Sequence, residues 1–311
     1  MNQGIVIKST GSHYLVKQDD KITNCKIRGK FRRKEFRTTN PVAVGDVVDF
    51  KLQKDGDIGV ITGIHDRKNC LLRKSTNLSK QFHVIAANID YAFLMITLIK
   101  PVTYSMFIDR WLVACEKSKI KAVLIFNKTD LYDDEIKKKL NSYIKIYKKI
   151  GYHCLKTSVK ENSGIDVIRK MIKNKTIVIS GNSGVGKSGL INLLEPGLNL
   201  KISEISAFHE QGKHTTTFAE MFPVAGGFII DTPGIKGFGL DEEIKEHLSD
   251  YFPEIKQLSD ACKFNNCTHT HEPECAVKEA VDKGAVSSQR YNNYLNILAG
   301  EEDKYRQDNY I

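Results

Sequence analysis

The sequence predicts three units in series: a small β-barrel, a central α/β domain on a parallel sheet, and a short helical unit around a Cys/His cluster. Three observations predict this. Short β-rich runs recur at regular spacing through residues 1–70. From Ile89 continuous apolar strands alternate with helical patterns. After Gly239 the chain turns helical and acidic, with Cys and His crowded at its centre. A chain of 311 residues has room for two or three domains. Its 41% hydrophobic and 27% charged residues exclude wholesale disorder, collagen and coiled coil.

In the first unit, GIVIKS, HYLVKQ, NCKIRG, VVDFKL and GVITGI are short runs separated by Gly, Asp and Asn. Five such strands fit an OB-fold barrel, placed over residues 1–72. In the second unit, placed over 73–240, DYAFLMITLI reads as a buried parallel strand. Phe107, Ile108, Trp111, Leu112 and Cys115 then recur at helical spacing. AVLIF (122–126), YHCLKTS (152–158) and TIVIS (176–180) read as further strands. Between them lie a Lys-rich helix over 133–149 and a short helix over 165–172. This alternation implies a parallel sheet with helices on both faces. The third unit is placed over 241–311.

Charge is unevenly shared among these segments. Residues 1–80 carry +9, residues 81–240 carry +8 and residues 241–311 carry −7, which gives the net +10. A basic front and middle point to a polyanionic partner, most simply nucleic acid. No apolar run approaches the roughly 20 residues that span a bilayer, so no membrane partner is expected. The N-terminus shows no secretory h-region, so a cytoplasmic location is expected. Seven cysteines, an odd count, argue against a disulfide framework in that compartment. Cys25, Cys70, Cys115 and Cys154 are scattered and read as small core residues.

The strongest chemical signal is Gly181, Asn182, Ser183, Gly184, Val185, Gly186, Lys187, Ser188, followed by Gly189. It fits GxxxxGK[ST], with a buried strand before it and a helix after it. Glycines let backbone N–H groups close on phosphate oxygens, and the helix N-terminus adds its positive dipole end. Lys187 is placed to reach the outer phosphates and Ser188 to ligate Mg²⁺. Phe228-Ile-Ile-Asp231-Thr-Pro-Gly234 delivers a second acidic group for Mg²⁺, Asp231, at a strand end. Gly234 can offer its N–H to the γ-phosphate.

Asn127-Lys128-Thr129-Asp130 follows the AVLIF strand. A carboxylate there accepts two hydrogen bonds from the N1–H and 2-amino edge of guanine, a pair adenine lacks. Asn127 can tie this loop to the phosphate loop, and Lys128 can lie over the base. Thr157-Ser158-Val159 is the expected turn toward the guanine carbonyl, with Ser158 a contact residue. The expected ligand is therefore GTP with Mg²⁺.

Two further sets carry chemistry. Cys262-x4-Cys267-x-His269-x5-Cys275 suits one tetrahedral, structural Zn²⁺, with His271 a rival for the imidazole position. In the barrel, Lys26, Arg28, Lys30, Arg32, Arg33, Lys34 and Arg37 crowd one loop, interleaved with Phe31 and Phe36. Cations there can neutralise phosphates and an aromatic can stack on a base, which makes the loop a candidate RNA-binding segment.

Motif order is unusual. NKTD and TS precede GNSGVGKS, which precedes DTPG, whereas ordinary small GTPases begin with the phosphate loop. With IDRWLVACEK, GNSGVGKSGLIN, GKHTTT, DTPGIKGFGL and CKFNNCTHTHEPECAV, the chain closely resembles the circularly permuted ribosome small-subunit biogenesis GTPases of the RsgA (YjeQ/YloQ) family. The resemblance implies an OB barrel, a permuted GTPase core and a zinc module. It also implies the 30S subunit and its 16S rRNA as partners, and GTP hydrolysis stimulated by that subunit; a monomer is expected. Ile235 stands where many GTPases carry a water-orienting Gln. The resemblance favours His214, in Gly212-Lys-His-Thr-Thr-Thr217, as the catalytic residue; RNA contact is its other reading. One of Thr215, Thr216 and Thr217 could complete the Mg²⁺ shell. Lys213 stands where the family pattern usually has Arg. The alternative function is a nucleotide-gated RNA-binding assembly factor in which hydrolysis is an incidental timer.

Overall fold

The computed structural model describes residues 2–27, 41–53, 58–74, 82–198, 219–231 and 242–300. The barrel comprises β1 (Asn2–Ser9), β2 (Tyr14–Gln18), β3 (Lys21–Ile27), β4 (Val47–Leu52) and β5 (Ile58–Ile64). They run in the order β1-β2-β3-β5-β4, and β4 returns to pair with β1. Closure removes free edges, and period-two alternation sends Val6, Tyr14, Val16, Cys25, Val48, Phe50 and Ile61 inward. A hairpin of β6 (Cys70–Lys74) and β7 (Phe82–Ala87) then leads to the central domain. The division expected after residue 72 falls inside β6.

The central sheet joins β8 (Tyr91–Ile96), β9 (Lys121–Phe126), β10 (His153–Lys156), β11 (Thr176–Ser180), β12 (Glu220–Val224) and β13 (Gly227–Asp231). Its order is β10-β9-β8-β11-β13-β12, all parallel except β12. Where β12 begins, Lys8 of β1 faces Glu220 in register and the two side chains pair at 3.1 Å. Alternate strand residues feed opposite faces. Leu94, Ile96 and Leu124 pack with Trp111 and Leu112 of α1 (Ser105–Lys117) and with Tyr143 of α2 (Asp134–Ile150). Phe93, Met95 and Val123 pack with Ile168 of α3 (Ile165–Ile172) and with Ile191 of α4 (Lys187–Leu194). Asp133 caps α2 by accepting from the Ile136 N–H.

The last unit contains α5 (Glu242–Glu246), α6 (Pro253–Ser259), α7 (Ala276–Asp282) and α8 (Ser288–Ala299). Its core of Ile244, Leu248, Phe252, Ile255, Val277, Tyr294 and Ile297 also takes in Val113 from α1. Beside that seam, Arg290 is 1% exposed and donates to Asp109 at 2.7 Å and to both Glu254 oxygens at 2.7 and 3.0 Å. Asp109 also accepts from the Tyr147 hydroxyl and the Asn293 amide. Burial works to lower the Arg290 pKa, but the carboxylates of Asp109 and Glu254 outweigh it and hold the guanidinium firmly charged. Arg290 lies 4.5 Å from the Phe252 ring centroid.

Candidate functional site

The parallel strands β8, β9, β10, β11 and β13 all point their C-terminal ends at one edge of the sheet, where ligands of open α/β folds bind. The candidate loops emerge there. After β11 the chain turns through Gly181 (φ +144°), Gly184 (φ +76°) and Gly186 (φ +106°) and enters α4 at Lys187. At Gly186 a Cβ would lie 2.5 Å from Asn127 Nδ2, so both the backbone conformation and the space require glycine. Lys187 Nζ donates to the Gly181 and Asn182 carbonyls at 2.6 and 2.9 Å, so its ammonium spans the loop. Ser188 is buried in the first turn of α4.

Asn127 leaves β9 fully buried and reaches across to this loop. Its Nδ2 donates to the Val185 carbonyl at 2.9 Å. Its Oδ1 accepts from Thr157 Oγ1 at 3.0 Å and from the Val159 N–H at 3.3 Å. One side chain thus ties its own NKTD loop to the Gly181–Ser188 loop and to the turn at Thr157 and Val159. Lys128 sits at φ +60° and donates to the Lys100 carbonyl at 2.8 Å. Asp130, half-buried, accepts from Ser158 Oγ at 2.6 Å. Such a geometry presents a carboxylate edge at a fixed angle to any planar ligand entering between the loops.

Tyr132 escapes sequence reasoning. Its hydroxyl donates to the Asn127 carbonyl at 2.8 Å and accepts from the Leu98 N–H at 3.0 Å. Burial first, and the Asp130 charge second, push that hydroxyl's pKa up, against the opposing Leu98 hydrogen bond, so it remains a donor. The only hint is its position two residues after the aspartate of NKTD.

Asp231 ends β13, with its backbone in register with Ile179 of β11 and Glu220 of β12. Gly234, His214 and the threonines after it lie outside the described residues, as do Arg28, Lys30, Arg32, Arg33, Lys34 and Arg37. Lys26 is exposed on β3.

The second cluster lies between α6 and α7. The ligating atoms of Cys262, Cys267, His269 and Cys275 all fall within 4.8 Å of one another. His269 Nδ1 lies 3.6 Å from Cys262 Sγ and 3.4 Å from Cys275 Sγ, and those sulfurs are 3.9 Å apart. These separations suit corners of a tetrahedron with metal bonds of roughly 2.0–2.3 Å, so the donor set fits Zn²⁺. Burial, and then the neighbouring Cys275 and Cys262 thiols, push Cys267 up to about 12. Burial lowers His269, which favours the neutral imidazole a metal needs. His269 Nε2 lies 3.2 Å from Ser259 Oγ, which fixes the ring from behind. His271 is exposed and bonded to Thr270 Oγ1 instead, so the structure brings His269 alone of the two into the cluster.

A family profile described as RsgA GTPase matches residues 64–241, more than half the chain. The chain belongs to the RsgA GTPase family. A second profile, the RsgA N-terminal domain, matches residues 3–61. The small ribosomal subunit biogenesis GTPase RsgA of Flavobacterium psychrophilum is 52% identical over 99% of this chain and 95% of its own length. RsgA 2 of Bacteroides thetaiotaomicron, described as a small ribosomal subunit biogenesis GTPase, is 51% identical over 98% and 99%. Among solved structures, YjeQ from Thermotoga maritima superposes with a TM-score of 0.78 at 34% identity, covering 96% of this chain and 98% of that one. YloQ, described as a circularly permuted GTPase, gives 0.75 at 30% identity over 98% and 96%. RsgA membership accounts for a barrel and a GTPase sheet in one chain. No helix among the described residues is long and apolar enough to cross a membrane.

Proposed function

We propose that this protein hydrolyses GTP, binds the 30S ribosomal subunit through its 16S rRNA, and assists late maturation of that subunit. The observation that carries the reading is Asn127, one buried side chain of the NKTD loop bonded at once to the phosphate loop and to the turn at Thr157 and Val159. It is joined by relatives of about half identity whose names state small-subunit biogenesis.

In this reading Asp130 accepts from the guanine N1–H and 2-amino group, held in place by Ser158, and Lys128 covers the base. The backbone of residues 181–189 and the Lys187 ammonium hold the phosphates. Ser188 and Asp231 serve Mg²⁺, which draws charge off the transferred phosphoryl oxygens when bound. Gly234 contacts the γ-phosphate and His214 positions the attacking water. Cys262, Cys267, His269 and Cys275 hold one structural Zn²⁺. Lys26 and the basic loop after it meet rRNA. The protein acts as a cytoplasmic monomer.

The test is GTP turnover with and without purified 30S subunits at two salt concentrations. Strong stimulation that weakens as salt rises is expected. Equal affinity for GTP and ATP by calorimetry would overturn the assignment of Asp130; its Ala variant is expected to lose GTP affinity by about a hundredfold or more. Replacement of His214 by Ala is expected to lower turnover and leave GTP binding intact. Ile235 favours the second reading, hydrolysis as an incidental timer, and GTP-dependent 30S binding without stimulation would establish it.

A further inference from the structure

We propose that the outward face of α2 is a second phosphate-gripping surface, which lies along an RNA backbone of the small subunit. This rests on the reading that the subunit is the partner. At 3.6 residues per turn, Lys137, Lys138, Lys145, Lys148 and Lys149 fall within an arc of about 120°. All five are exposed. Leu140, Tyr143 and Tyr147 occupy the opposite, buried side. Lys137 to Lys149 covers about 18 Å along the axis. Lys156, at the free edge strand β10, joins the row by donating to Asn141 on the same face at 2.9 Å.

Charge balance on this helix is lopsided. Its acids, Asp134 and Glu135, sit in the first turn, where they suit the helix dipole. Lys137 reaches Asp134 at 3.6 Å, but Asp134 is 95% exposed. Lys149 donates to the Ala285 carbonyl. Lys138, Lys145 and Lys148 make no ion pair among the described residues. Lys145 stands three and four residues from Lys148 and Lys149, spacings at which like charges repel. A polyanion laid along the arc relieves that repulsion. The row is also rigidly presented, because the Tyr147 hydroxyl is bonded to buried Asp109 on α1. Lysines are point charges with no fixed fork, so the contact fits phosphates and carries no sequence preference.

The experiment uses the full chain with a non-hydrolysable GTP analogue and purified 30S subunits, titrated at several salt concentrations. The triple variant Lys138→Gln, Lys145→Gln, Lys148→Gln is compared with its parent and with Lys139→Gln, which lies outside the arc. The triple variant is expected to bind about tenfold or more weakly, with a salt slope shallower by about two to three. Lys139→Gln and the affinity for the GTP analogue should not change, and unchanged helix content shows that the fold survives. An unaltered salt slope in the triple variant, with the parent binding normally, overturns the proposal. So does loss of polyglutamate binding with 30S binding intact, which would assign the face to an acidic protein. A parent that does not bind the subunit defeats the functional reading instead. The same variants on a short RNA duplex then decide this one: weaker duplex binding supports it and equal binding overturns it.

Discussion

The base-side loops and the Cys/His loop both gather polar atoms into small spaces, but they balance them differently. Around Asn127 each donor meets an acceptor: Val185, Thr157, Val159, Tyr132, Ser158 and Asp130 answer one another without help. Around His269 four electron-pair donors face inward, and no cationic side chain is among them. The first cluster is complete as folded and can wait for a ligand. The second has a donor set that suits a cation. With zinc bound as proposed, one region is pre-organised by hydrogen bonds and the other by metal, and their responses to perturbation should differ in size.

The largest difference should come from removing zinc. A strong chelator, or Cys275→Ser, is expected to abolish cooperative folding of residues 242–300 while GTP binding persists, because structural zinc sites supply about 10–16 kcal/mol of apparent folding energy. Metal content and helical circular dichroism read this out; unchanged helicity after complete metal loss would show the two clusters to be alike. Zinc retention should also fall as pH falls, since protons compete for the thiolates.

Next comes the seam between the regions. Arg290→Ala leaves Asp109 buried and uncompensated, at a cost of about 3–5 kcal/mol. Adding Asp109→Asn to that variant should recover part of the loss in urea unfolding.

Smaller still is the hydrogen-bonded cluster itself. Asn127→Ala should cost about 1–3 kcal/mol and weaken GTP binding, with zinc content unchanged. Equal losses of zinc and nucleotide would erase the contrast.

The smallest effect concerns Asp90, which links Lys68 at 2.6 Å to the Thr176 N–H at 2.8 Å. Burial alone would raise its pKa, but Lys68, the Thr176 N–H and Lys175 outweigh it and hold the carboxylate below its ordinary 3.8. Its contribution is therefore present above that value and lost as pH falls below it through the depressed folded-state pKa. Relative to Asp90→Asn, the parent's stability advantage should shrink on acidification from about pH 5 toward pH 3.

The barrel strands, the sheet alternation and the phosphate loop were legible because each carries its own local period or spacing. β12 was not: EMFPV holds Pro223, which demotes a run as strand, and it is tolerated opposite Phe228 in an antiparallel pair. The β6–β7 hairpin was missed because CLLRK and FHVIAA lack clean alternation. The Cys/His cluster could be read from spacing, but Ser259 behind His269 could not, because a serine at a helix end looks like any polar terminus. The acidic composition of the last unit also hid Arg290, whose meaning depends on Asp109, 181 residues earlier.

That long-range link has a consequence for how the chain could be severed. A protease nick between Asp231 and Glu242 would separate the two pieces covalently but leave the Arg290–Asp109–Glu254 knot and the Val113 contact holding them together. The halves should migrate as one particle until a denaturant loosens the knot, so the fold would tolerate new chain ends at that junction.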